Sequence, residues 1–179
     1  MRFRHASLIV VVLALVAVIA SPVQAGWGKS KIEGSGDLET RTFDLDDFDT
    51  IDLGGAFSVD VSFGDKQSVE ITIDDNLWEN LEADVSGGTF ELGWDKSCDP
   101  DDDCKVVIVM KKLERLEVHG ACDAEVFDFD GDAFEFDVHG AAELEIDGKV
   151  NDLEIQISGA ADVDARDLKA KHVKARISG

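Results

Sequence analysis

From residue 41 onward, apolar and polar side chains alternate. The runs FDTIDL (48–53), AFSVDVSF (56–63), SVEITI (68–73), TFELGW (89–94) and KVVIVM (105–110) place every second residue on one apolar face. That period of two is the signature of a half-buried strand, and the Gly and Asp residues between runs are turn formers. One stretch departs from it. In DDNLWENLEADV (74–85), Leu77, Trp78 and Leu81 sit at helical spacing behind an aspartate, which predicts a short helix or turn.

Residues 113–179 add a longer period. Aligned on glycine, the phrases EVHGACDAEV, DVHGAAELEI, QISGAADVDA and RISG put Gly120, Gly140, Gly159 and Gly179 in one column, spaced by 20, 19 and 20 residues. Two residues before the glycine stand Val118, Val138, Ile157 and Ile177; four before it stand Leu116, Phe136, Ile155 and Ala175. After it, Cys122, Ala124 and Val126 align with Ala142, Leu144 and Ile146 and with Ala161, Val163 and Ala165. These columns point inward and the columns between them are polar. A fixed period near twenty predicts stacked coils, each unable to bury its apolar face alone. The expected fold is therefore an all-β parallel β-solenoid with coils of about 20 residues, with the glycine allowing a bend or a close backbone approach. The alternative is an antiparallel β-barrel or sandwich of hairpins, for which DFDGDA, IDGKVND and ARDLKAKH supply turn residues.

The first 25 residues read differently. Arg2, Arg4 and His5 precede an apolar run from Leu8 to Ala20, and SPVQA follows. Thirteen apolar residues fall short of the roughly 20 that span a bilayer, so residues 1–25 predict a cleaved signal peptide and a secreted or periplasmic protein. No later segment predicts a transmembrane span. Residues 26–40, rich in Gly, Ser and Lys, read as a flexible leader, and 41–179 as the folded domain. The repeat breaks off at Gly179, which predicts further copies beyond it.

Charge narrows the function. All 39 Asp and Glu, but only 15 of the 17 Lys and Arg, lie beyond residue 25, a net charge of −24 there. That excludes a nucleic-acid binder, which needs clustered basic residues. Cys98 and Cys104 bracket DPDDD, and in an oxidising compartment predict a disulfide around a small loop. Cys122 occupies a column otherwise filled by Ala142 and Ala161 and reads as a small buried filler.

Candidate chemistry follows the repeat. Asp123 and Glu125, Glu143 and Glu145, and Asp162 and Asp164 fall on the outer side just after the glycine. Stacked at about 5 Å, neighbouring acids repel by roughly 0.8 kcal/mol in water. Such a ladder is either a solvated acidic wall or a weak calcium-binding ladder. Before the glycine, Glu117 and His119 would lie beside Asp137 and His139, a set able to hold zinc or another transition metal, or two surface histidines offsetting acidic neighbours. The loop acids Asp99, Asp101, Asp102 and Asp103 are another possible cation site or simply a tight acidic turn. A β-helix can also carry glycoside chemistry on carboxylates, so a carbohydrate-active or metal-dependent hydrolase centred on Glu117, His119, Asp137 and His139 is the alternative function. Regular repetition of the acids favours a surface over an active site.

The order RTFDLDDFDTIDLGGAFSVDV (41–61), DDNLWENLEADVSGGTFEL (74–92) and the tandem HGA and SGAAD copies resembles the "putative auto-transporter adhesin, head GIN domain" family over roughly residues 41–179. The Phe48, Ile51, Gly55, Phe57, Val59, Val61 spacing and the Ser158, Gly159, Asp162 pattern carry the resemblance most specifically. It implies a right-handed parallel β-helix and a non-enzymatic adhesion or interaction module of the bacterial envelope. His119 and His139 stand where that pattern has serine, and the CDPDDDC loop is an addition. The expected partner is an envelope polysaccharide or a protein ligand, with self-association through exposed edge coils.

Overall fold

The computed structural model describes residues 31–178. Its strands are β1 (Ile32–Glu33), β2 (Leu38–Phe43), β3 (Thr50–Gly54), β4 (Ala56–Phe63), β5 (Ser68–Asp74), β6 (Leu81–Ser86), β7 (Thr89–Trp94), β8 (Cys98–Asp99), β9 (Lys105–Met110), β10 (Arg115–Val118), β11 (Ala121–Val138), β12 (Ala141–Ser158), β13 (Ala160–Asp164) and β14 (Leu168–Ser178). β1 and β8 form a separate two-stranded ladder, and the other twelve strands make one sheet. The helix or turn expected over 74–85 is a single 3-10 turn at Trp78–Asn80, after which Leu81 enters β6.

The sheet has two runs. One follows β6, β7, β3, β10, the second half of β11, the second half of β12 and β14. The other follows β2, β5, β9, β4, the first half of β11, the first half of β12 and β13. The two runs are joined where β11 and β12 turn, with a register shift between Val126 and Phe129. Asp128 takes a positive φ of 55° there, and Gly148, at φ 114°, brings its backbone so close to β11 that a Cβ would meet the Phe129 carbonyl oxygen at 2.1 Å. The sheet thereby curls into a half-barrel around one core.

This corrects the expected right-handed parallel β-helix. The sheet is mixed: β2 pairs with β5, β5 with β9, and β6 with β7, all antiparallel. The barrel-like alternative describes the curled whole better. Within that whole, the glycine-aligned repeat still pairs copy against copy in parallel, Ala121 with Ala141 and Ala141 with Ala160. The physical reason for the difference is that alternation says which face a side chain takes and nothing about the direction of the neighbouring strand. Gly87 and Gly88, at φ 61° and 87°, form the hairpin turn that sends β6 back along β7.

The inward columns fill the core. Ile51, Leu116 and Phe136 align across β3, β10 and β11, as do Leu53, Val118 and Val138, and all six are fully buried. Cys122 lies between Phe57 and Ala142 in the other run, the small filler its column predicts. Asp74, at the end of β5, is also fully buried; its carboxylate accepts hydrogen bonds from the Gly36 N–H at 2.7 Å and the Asp101 N–H at 3.1 Å. It ties the chain before β2 and the DPDDD loop to the sheet. Residues 31–40, read as part of a flexible leader, are thus held: β1 pairs with β8 and β2 with β5. The expected signal peptide lies outside the described residues.

The glycine column sets how closely the coils stack. A Cβ on Gly120 would lie 1.9 Å from the Gly55 carbonyl oxygen, one on Gly140 2.1 Å from that of Gly120, and one on Gly159 2.1 Å from that of Gly140. The same carbonyls accept the next strand's first N–H, from Ala121 at 2.6 Å, Ala141 at 2.9 Å and Ala160 at 3.0 Å. A methyl group there displaces backbone on both sides. Gly140→Ala is expected to lower unfolding stability by about 3 kcal/mol. Chemical denaturation checks this, and a change under about 0.5 kcal/mol, the range of neutral surface substitutions, would contradict the close approach.

Candidate functional site

Every outer column of the sheet is a row of side chains at the strand spacing of about 4.8 Å. Along the second half of the repeat, two such rows are adjacent. One runs through Thr50, Arg115, Glu135, Glu154 and Lys174; the other through Asp52, Glu117, Asp137, Gln156 and Arg176. His119 and His139 follow one step further on, with their rings stacked at 5.3 Å between centroids and 7° from parallel.

Arg115 organises this face. Its guanidinium contacts Glu117 at 3.4 Å and Glu135 at 3.2 Å, and bonds directly to Asp137. Asp137 is the buried member, 5% exposed. His119 Nε2 lies 3.0 Å from Glu117 Oε1 and 3.7 Å from Asp52. Gln156 donates to Glu135 at 3.1 Å, while Lys174 and Arg176 both reach Glu154, at 2.6 and 2.9 Å. Burial raises the Asp52 carboxyl above its ordinary value; the neighbouring His119 opposes this, Glu117 and Glu91 add to it, and Arg115 opposes it. A shallow hollow opens beside the cluster, lined in part by Glu114, Arg115, Glu135, Glu154, His172 and Lys174.

The structure therefore brings Glu117, His119, Asp137 and His139 onto one face. Asp137 is turned to Arg115, and among the described residues no group of three or more His, Cys, Asp or Glu side chains converges on a point where an ion could sit. A guanidinium already supplies the positive charge that a metal would bring. Sequence reasoning missed Arg115, Asp52 and Glu135. The available signal was that Arg115 is a basic residue in an outer column whose next two members, Glu135 and Glu154, are acidic.

The six acids after the glycine also line up. Asp123, Glu143 and Asp162 form one column and Glu125, Glu145 and Asp164 the next; Ser58 and Asp60 of β4 extend them. Within this wall Asp164 bonds to Arg166, and Asp60 to Lys105 at 2.9 Å. Adjacent side chains leave the sheet side by side rather than converging, so the wall offers repeated carboxylates and no closed cation cage. Asp99, at the end of β8, and Asp101, Asp102 and Asp103 in the loop after it are exposed, with Lys31 paired to Asp99 at 3.0 Å.

Cys98, Cys104 and Cys122 are free thiols, so the expected Cys98–Cys104 disulfide is not formed in this structure; Asp74 holds the intervening loop instead. Burial pushes the Cys104 thiol up to about 12, with the charges of Asp74 and Asp103 adding to it. Burial also pushes Cys122 up to about 11, opposed by a hydrogen bond with the Phe57 backbone. Cys98 is raised too, by burial first, but is only partly buried.

Residues 47–179 match the family described as "Putative auto-transporter adhesin, head GIN domain". Among solved structures, a "putative adhesin" of Bacteroides fragilis aligns with a TM-score of 0.64 at 20% identity, covering 83% of this chain and 79% of that one. A "putative lipid binding protein" of Parabacteroides distasonis aligns with a TM-score of 0.51 at 20% identity, covering 83% and 81%. A "putative adhesin" of Parabacteroides merdae aligns at 0.50 and 18% identity with the same coverage. These likenesses show the fold. No curated protein matches the sequence.

Two expectations follow. Arg115→Ala leaves three carboxylates facing one another and is expected to cost about 2 kcal/mol at neutral pH, discounted for the partial exposure of the arginine. Chemical denaturation of both proteins at pH 7 checks this, and a difference under about 0.5 kcal/mol would contradict it. In thiol titration near pH 8, where raised values leave little thiolate, Cys98 is expected to react first, with Cys104 and Cys122 released only on unfolding. A single thiol in the unfolded, unreduced protein would show instead that Cys98 and Cys104 have joined.

Proposed function

The chain belongs to the auto-transporter adhesin head GIN domain family, and from that premise we propose that it is a non-enzymatic binding module working outside the cytoplasm. The observation that carries this reading is the wall of six carboxylates in two columns over three parallel strands. Its spacing is fixed by the backbone, so its charge repeats at regular intervals, as suits a ligand that also repeats. Cations held diffusely along the wall would bridge it to an acidic envelope polysaccharide; a protein with a basic face would meet it directly. Calcium is the cation to test first, because exposed carboxylates are its ordinary ligands. Extracytoplasmic placement rests on the signal expected over residues 1–25. Among the described residues, no helix is long and apolar enough to cross a membrane.

The Arg115 cluster supports binding over catalysis. Glu117, Glu135 and Asp137 all face one guanidinium, which leaves none of the three without a cationic neighbour.

The purified protein is expected to bind an envelope polysaccharide fraction in millimolar calcium. Chelation, or the paired substitutions Glu143→Gln and Glu145→Gln, should weaken that binding by about tenfold or more, a loss of roughly 1.4 kcal/mol. Failure to bind in any cation would overturn the polysaccharide reading. Progressive shortening of the polysaccharide, abolished by Glu117→Gln or His119→Ala, would establish the hydrolase alternative instead.

A further inference from the structure

Between β7 and β9 the chain leaves the main sheet. β7 ends at Trp94, β9 begins at Lys105, and the residues between them swing out to pair β8 with β1. This detour opens a hollow of about 710 Å³ beside the start of β4, lined in part by Ile32, Ala56, Trp94, Asp95, Lys96 and Ser97. That volume lies within the range of small-molecule sites.

Three features make the hollow a built site. Its platform is aromatic: the half-buried Trp94 indole stacks on Phe57, at 5.6 Å between centroids and 17° from parallel. Its rim is fixed. The Asp95 N–H donates to the Asn80 carbonyl at 3.0 Å, Lys96 Nζ donates to Asn80 Oδ1 at 3.0 Å, and the Ile32 N–H donates to the Ser97 carbonyl at 2.9 Å; Asn80 is itself buried. It also holds unused backbone. The Gly55 carbonyl faces β11, where it accepts from Ala121, and the Ser58 N–H faces the other side, where it donates to Cys104 at 2.9 Å. Alternation along the strand turns the Ala56 N–H and C=O to that second side. The ladder with β9 begins only at Ser58, however, and neither group of Ala56 finds a backbone partner there among the described residues.

We infer that this hollow binds a neutral sugar ring, as a saccharide site separate from the acidic wall. A pyranose has an apolar C–H face and a girdle of hydroxyls that both donate and accept. The indole supplies a flat apolar surface with a negative face toward those C–H groups. Around it the Asp95 carboxylate accepts, while the Ser97 hydroxyl and the Ala56 backbone do both. An anionic sugar is disfavoured by Asp95 and by the strongly acidic protein around it. A peptide strand is disfavoured too, since Ala56 offers one residue of free ladder, too little for strand addition. The site needs no calcium, so this inference goes beyond the reading of the wall and does not rest on it.

Titration of the purified protein with neutral trisaccharides of glucose, galactose, mannose and N-acetylglucosamine, read by NMR shifts of amide and indole N–H groups, tests it. At least one is expected to shift the Trp94 indole and the Ala56 amide saturably, with a dissociation constant on the order of a millimolar. The shift should be the same in chelator as in calcium, and the buried Trp78 indole should stay in place. Trp94→Ala should abolish binding. Asp95→Ala with Ser97→Ala, at two exposed positions, should weaken it by about tenfold or more. The protein carrying Glu143→Gln and Glu145→Gln should bind the sugar unchanged, which separates a failure here from a failure of the wall. No saturable shift with any of the four sugars, a shift that both variants of the hollow leave unchanged, or one that chelation removes would each overturn the proposal.

Discussion

The structure depends on one steric constraint: at the glycine of each repeat, two backbones pass closer than any side chain permits. Gly55, Gly120, Gly140 and Gly159 stand in a column, and the carbonyls of the first three lie within 2.1 Å of where the next glycine's Cβ would be. The same carbonyls accept the next coil's amide, so close approach and hydrogen bonding are one feature. Everything outside that column inherits its register. The inward columns stack because the glycines do, and the outer columns become rows of like or opposite charge for the same reason.

Those rows explain how one repeat makes two different surfaces. After the glycine, every copy supplies acids, and the result is a wall whose repulsion is relieved by solvent and counter-ions. Before the glycine, the copies differ. Arg115, Glu135, Glu154 and Lys174 occupy one column in turn, so charge is balanced there by neighbours one strand away. Asp137 is buried on that face because Arg115 reaches it. The cluster is built from departures from the repeat, the wall from adherence to it.

Much of this was legible in the sequence. Period-two alternation placed Ile51, Val59, Val118 and Leu144 inside, and the column of glycines marked the close approach at Gly120 and Gly140. Strand direction was not legible before residue 113, since alternation is blind to it, and the hairpin at Gly87 and Gly88 turned β6 against its neighbour. Glu117, His119, Asp137 and His139 fall on one face, as their columns indicate, but a column-by-column reading of acids and histidines passed over Arg115, two positions before Glu117, which contacts two of them. Asp74 was hidden for another reason. Its role is to accept amides from two loops far away in sequence, which no local pattern reports.

Through-space NMR contacts across the glycine column can establish whether the repeat strands lie in parallel register. Contacts are expected to link Gly120 with the amide of Ala141 and Gly140 with the amide of Ala160, with neighbouring pairs advancing in the same direction along both strands. Contacts between β11 and β12 that run in opposite directions, as in a hairpin, would contradict it.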